Sequence, residues 1–124
     1  MAAPQLSHRT VRDSPRVVVL RIAGDVEYLA VGRVENYFNQ LLAAEQPRHV
    51  LLDGRDLTFV VTPFLGSLIF WQEQVRNQGG RLVVFGLNSS LQGVMSFLRL
   101  ERVLTFCADE QAALATLPAA AGDG

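Results

Sequence analysis

Residues 50–69 read VLLDGRDLTFVVTPFLGSLI, and the order of patterns within them decides the fold. Val50 to Leu52 is an apolar, strand-like run that ends at Asp53. A short polar turn follows, Gly54-Arg55-Asp56. A second apolar patch, Leu57 to Val61, meets Thr62-Pro63, and there a helical pattern begins. A threonine hydroxyl can accept a bond from an unsatisfied amide of the first helical turn, so Thr62 suits the capping position. Proline is favoured at the first helical position, where its missing N–H costs nothing. The spacing therefore predicts Thr62 at the start of a helix, just past a buried strand and close to the surface. Such a position suits a regulated hydroxyl as well as a plain helix cap, and both readings stand at this point.

Working outward, the same alternation continues in both directions. Arg16 to Ala23, RVVVLRIA, is β-branched and apolar, a buried strand ended by Gly24-Asp25. Before it, Leu6 to Val11 is a weaker strand candidate, separated by the turn signal Asp13-Ser14-Pro15. Val31, Val34, Phe38, Leu41 and Leu42 recur at helical spacing, which predicts an amphipathic helix over about 31–45. His49 to Asp53 is the next strand. The helix from Pro63 runs to about Asn77, where Gly79-Gly80 stops it. Arg81 to Gly86 is an apolar strand, and Ser89 or Ser90 caps a helix with Leu91, Val94, Met95 and Leu98 on one face. Leu104 to Cys107 is a last strand, and Asp109 caps a closing helix that turns Ala113, Leu114 and Leu117 inward.

Apolar strands alternating with helices imply an α/β fold. The sheet is mainly parallel, of four to five strands with the first antiparallel, and is covered by about four helices. The chain is read as a single domain over 6–117 with loose termini at 1–5 and 118–124.

Composition narrows the function classes. The 124 residues are 49% hydrophobic and 19% charged, a globular balance, and the formal net charge is −1. No basic footprint for nucleic acid or anionic lipid is present. A single cysteine, Cys107, precludes an internal disulfide and fits a reducing compartment. No apolar run is long enough to span a bilayer, and the opening residues MAAPQLSHRT lack the apolar core of a signal peptide. The two histidines, His8 and His49, have no cysteine or carboxylate at metal-ligand spacing. There is no Gly-x-Ser-x-Gly elbow and no glycine-rich phosphate loop, because Gly79-Gly80 precedes a strand instead of joining a strand to a helix. Asp53 and Asp56 could pair as carboxylates but read more simply as turn formers. The sequence names no catalytic constellation, no cofactor and no metal, and the expectation is a non-enzyme.

The helix after Thr62 carries a second signal. Leu65, Leu68, Ile69 and Val75 form one apolar face, while Phe64, Phe70 and Trp71 point largely elsewhere. A helix apolar on more than one face is either deeply buried or covered by a partner. The stripe Phe64–Ser67–Trp71–Gln74 is expected to run away from the core, with Trp71 at least partly exposed.

Together these patterns resemble the STAS domain, the fold of anti-sigma factor antagonists and of sulfate-transporter C-terminal domains. The resemblance covers residues of about 16–117. It rests on VVVLRIAGDV (17–26), on LLDGRDLTFV (51–60) leading into a switch helix, and on the distal half NQGGRLVVFGLNSSLQGVMSFLRLERVLTFCADEQAALATL (77–117). That half carries a "Leu-x-x-Val-Leu" and a closing "Asp-Glu-x-x-Ala-Leu".

The resemblance implies a non-enzymatic interaction module of STAS type in a bacterial cytoplasm. It would bind an anti-sigma factor or kinase-like partner through Thr62, Pro63, Phe64, Ser67 and Trp71, with Thr62 on the family's phosphorylated hydroxyl. The sequence departs from the family at that loop. Val61 stands in place of its acidic residue and Phe64 in place of its glycine. A second implied role is a STAS subunit, or detached STAS domain, that regulates an ABC-type or sulfate-type transporter from its cytoplasmic side. Weak nucleotide binding or hydrolysis is a third.

Overall fold

The computed structural model describes residues 3–118. Strand β1 (Gln5–Asp13) runs antiparallel to β2 (Arg16–Val26). Helix α1 (Tyr28–Glu45), β3 (His49–Asp53), β4 (Leu57–Val60) and α2 (Thr62–Asn77) follow. The chain continues through β5 (Leu82–Phe85), α3 (Ser89–Phe97), a 3₁₀ turn (Leu100–Arg102), β6 (Thr105–Cys107) and α4 (Glu110–Ala115). The sheet order is β1-β2-β3-β5-β6, with every pair after the first parallel. Residues 1–2 and 119–124, most of the stretches read as loose termini, lie outside the described residues. Pro4 is buried, and its carbonyl accepts a bond from Arg33 Nη1 at 2.7 Å.

β4 is a sixth strand where the sequence showed only an apolar patch. It pairs parallel with the last part of β2, Asp25 opposite Phe59 and Val26 opposite Val60. The first part of β2 pairs with β3 instead, Val17 opposite His49 through Arg21 opposite Asp53. One long strand thus serves two parallel neighbours in turn. Its register shifts between Gly24 and Asp25, where Gly24 has φ +97°. A residue with a side chain is strained at that φ.

The sheet has two apolar layers. Val18, Leu20, Ile22, Val50, Leu52 and Val84 pack on one side with α1, α2 and α3. Val17, Val19, Leu51, Val83 and Phe85 pack on the other side with Ala113 and Leu117, around the short α4. Strands buried on both faces read as continuous apolar runs, which is the pattern of β2, β3 and β5.

Two details of α3 differ from the sequence reading. Its cap is Asn88, whose side chain accepts from Leu91 N at 2.8 Å, and not Ser89 or Ser90. Only Leu91 and Met95 are buried on it, while Val94 and Leu98 are largely exposed. A helix of nine residues that ends at Phe97, with the chain turning through a left-handed Arg99 two residues later, touches the core along one narrow stripe. The cap assigned to Asp109 is present, its carboxylate accepting from Ala112 N.

Candidate functional site

At the C-terminal end of the sheet, β2 and β4 deliver two helix starts side by side. Val61 N donates to Val26 O at 3.0 Å, extending their pairing by one residue. Two residues beyond Val26 the chain enters α1 at Tyr28, and one residue beyond Val61 it enters α2 at Thr62. Thr62 and Pro63 are both exposed there.

Thr62 is therefore where the spacing put it, but it is not the cap. Val61 holds that position with extended backbone (φ −89°, ψ 157°), and no side chain caps the helix start. The reason is tertiary. Val61 is tied to β2 through its N–H, and its side chain is buried. The extended segment thus persists one residue further than the local pattern suggested. Thr62 becomes the first helical residue, its hydroxyl at the surface.

Phe64, Ser67 and Trp71 lie elsewhere than expected. All three are buried, so the outward stripe of the sequence reading is corrected. Trp71 stacks on Phe38 of α1 with ring centroids 4.2 Å apart and planes 7° from parallel. Phe64 meets the same indole edge-on at 5.7 Å. The Ser67 hydroxyl donates to Glu35 Oε2 at 2.6 Å, joining α2 to α1. These side chains fill the α1–α2 seam. Helix α2 has two buried faces, one on the sheet and one on its neighbouring helix. A periodicity argument sees the apolar residues but not how many neighbours the helix has.

The outward face of α2 is a third one, carrying Thr62, Pro63, Gly66, Phe70, Glu73 and Arg76. Ile69, assigned to the core face from the sequence, is partly exposed here. Phe70 stands 62% exposed. Tyr28, Leu29 and Phe59 are also exposed. Tyr28 and Leu29 open α1, and Phe59 sits on β4 opposite Asp25, so this end of the sheet presents apolar side chains around Thr62. Sequence periodicity marked Phe70 as pointing off the core. It had no means of adding Tyr28, Leu29 and Phe59, which reach this end only through the β2–β4 pairing.

The carboxylates of the preceding turn are structural. Asp53 is buried and accepts from Arg55 N, Nε and Nη2 at 2.7–3.0 Å. Burial works to raise its pKa, but the Arg55 bonds and charge, with Arg21, outweigh it and hold the carboxyl below the usual range. Asp56 pairs with Arg21 instead. The Cys107 thiol is half-buried and pushed up by burial and by Asp109. Among the described residues, no group of three His, Cys, Asp or Glu could hold a metal ion. Nor, among those residues, is any helix long and apolar enough to cross a membrane.

The sheet order, the single opposing helix α4 and the helix start at Thr62 can be set against known proteins. Residues 8–113 match the sequence pattern of the STAS domain. The chain belongs to the STAS domain family. Solved STAS-type structures share its fold at low sequence identity. A proposed anti-sigma factor antagonist from Thermotoga maritima superposes with TM-score 0.78 at 16% identity, covering 90% of this chain and 93% of that one. An anti-sigma factor antagonist from Mycobacterium paratuberculosis gives 0.77 at 15% identity, covering 94% and 98%. The Bacillus cell fate determinant SpoIIAA in its phosphorylated form gives 0.64 at 17% identity, covering 92% and 99%. The STAS domain described here is thus mixed α/β, with a mostly parallel sheet after one antiparallel pair.

Proposed function

We propose that this STAS domain is a non-enzymatic regulatory module of the anti-sigma-factor-antagonist type, acting in a bacterial cytoplasm. It binds an anti-sigma factor or kinase-like protein through the end of the sheet that carries Thr62. The observation that carries the reading is an exposed hydroxyl on the first residue of α2, set among exposed apolar side chains. Family membership and the fold shared with anti-sigma factor antagonists support it.

The footprint is Thr62 and Pro63 with Tyr28, Leu29, Phe59 and Phe70. Phe64, Ser67 and Trp71 act beneath it, fixing the angle at which α2 leaves the sheet. Exposed aromatics commonly anchor such interfaces. Phosphorylation of Thr62 would add about −1.5 to −2 charges. The unpaired amides and dipole at a helix start accommodate negative charge, so the fold persists. The apolar surface becomes anionic, and the complex dissociates.

The test is calorimetric titration of the full chain with purified anti-sigma kinases of the source organism. Saturable binding is expected. Leu29→Ala and Phe70→Ala should each cost about 2 kcal/mol or more, the magnitude of an interface hot spot. Thr62→Glu should abolish binding. Equal binding by the Thr62→Glu protein, or no binding to any such kinase, would refute the assignment.

A further inference from the structure

The sheet has a second opening between β5 and β6, on the far side from β4 and Thr62. These two strands are parallel neighbours, paired from Val83 opposite Thr105 to Phe85 opposite Cys107. β5 leads into α3, whose Leu91 and Met95 join the core layer shared with α1 and α2. β6 leads into α4 on the opposite layer, with Ala113 and Leu117. Where neighbouring parallel strands send their connections to opposite faces, a crevice is left beyond their carboxyl ends, and α/β proteins bind ligands there. A cavity of about 320 Å³ lies at this point, within the range of about 300–1,000 Å³ of small-molecule sites. It is lined from both layers. Phe106 packs on the α3 side and Cys107, the next residue, on the α4 side, yet both line it. The cavity therefore reaches around the outer edge of β6, the last strand of the sheet.

The floor of the cavity is apolar, with Leu87 and Met95 buried and Phe106 half-buried. Its rim is polar and supplies acceptors. Gln92 Nε2 donates to the Leu87 carbonyl at 2.7 Å, which ties the nitrogen to the wall and leaves the amide oxygen to accept. Glu101 forms no ion pair among the described residues. It stands on the ridge between this cavity and the groove beside α2, and Arg102 lines only that groove. Among the described residues, no lysine, arginine or histidine lines the cavity. The Cys107 thiol is held neutral by burial and by Asp109, so Glu101 is the one charge on the wall. An anionic ligand, a phosphate included, meets acceptors and a like charge here. A neutral apolar ligand would desolvate the carboxylate without pairing it, at a cost. An ammonium group on an apolar body meets both the rim and the floor.

We propose that this cavity binds a small primary amine with an apolar body, its ammonium group donating to the Glu101 carboxylate and the Gln92 amide oxygen and its hydrocarbon part resting on Leu87, Met95 and Phe106. Hydrogen bonds from a cation to a carboxylate are short and about twice as strong as neutral ones, so Glu101 supplies the selectivity. The apolar floor supplies the burial. The site is independent of the Thr62 surface and of the partner proposed for it.

The probe is phenethylamine titrated into the full chain at constant ionic strength, with phenethyl alcohol as its uncharged counterpart and phenylacetate as its anionic one. The Met95 methyl resonance reports occupancy by NMR, and the rate of Cys107 alkylation by iodoacetamide reports access to the cavity. A saturable Met95 shift and slower alkylation are expected with phenethylamine. The alcohol should bind about tenfold or more weakly, and phenylacetate should not bind. Glu101→Gln, at an exposed position, should keep the parent melting curve, weaken the amine by about tenfold or more and bring it level with the alcohol. Ala108→Trp, also at an exposed lining position, should abolish binding by filling the space. A Met95 shift that does not saturate, equal affinity for amine and alcohol, binding of phenylacetate as tight as that of the amine, or unchanged amine affinity in the Glu101→Gln protein would overturn the site.

Discussion

Truncation of the single tryptophan tests the architecture of the α1–α2 seam directly. Trp71 is 1% exposed, stacked on Phe38 and met edge-on by Phe64. Trp71→Ala therefore removes the largest fully buried side chain of the domain together with two aromatic contacts. Burying an aromatic and then deleting it costs roughly 3–5 kcal/mol, the aromatic pair terms being part of that sum. A domain of this size has about 5–15 kcal/mol to lose, so the variant should still fold at room temperature but melt on the order of 10–20 °C lower. Urea unfolding followed by far-UV circular dichroism measures the loss without needing the deleted fluorophore. In the parent protein the same indole should emit at short wavelength and resist quenching by iodide. Phe70→Ala, one residue away but on the outward face, is the control and should change stability by no more than about 0.5 kcal/mol. A Trp71→Ala cost under about 1 kcal/mol, or an iodide-quenched tryptophan in the parent, would show that the seam is not packed as described.

Other substitutions separate local from tertiary causes. Thr62→Val should leave stability within about 0.5 kcal/mol of the parent, because Thr62 caps nothing; a loss of about 1 kcal/mol in urea would restore the cap. Thr62→Glu should fold equally well by circular dichroism, since an acidic group is favoured in the first helical turn. Gly80→Ala should unfold the domain or nearly so, because a Cβ there would lie 1.6 Å from the Arg48 carbonyl oxygen; a normal melting curve would contradict that contact. Stability should fall on acidification in two stages. The folded His49 pKa lies below its unfolded value, so the unfolded chain takes up a proton first and stability drops below about pH 6.5. His49→Gln should flatten that stage in urea titrations at pH 7.5 and 5.5. The depressed Asp53 pKa gives a contribution present above about pH 4 and lost below it, a stage that Asp53→Asn should remove.

Sequence alone determined the elements whose cause is local. The apolar runs of β2, β3 and β5 fix buried strands whatever the surroundings, and the alternation with helices fixes a parallel sheet. The Asp109 cap is legible because it depends only on a side chain and an amide three residues later. The family patterns rest on the same local order of residues.

Tertiary structure decided what depends on distant partners. Leu57–Val60 becomes a strand only because the far part of β2 is there to pair with it. That pairing also carries Val61 through the cap position and makes Thr62 the first helical residue. The outward direction expected for Phe64, Ser67 and Trp71 is wrong because a helix shows its apolar residues in sequence but not the number of neighbours that cover them. Helix α1 is the second neighbour, and it turns the expected partner stripe into core. The exposed set around Thr62 comes from three separate elements, and only the fold brings Tyr28, Leu29 and Phe59 to the end where α2 begins.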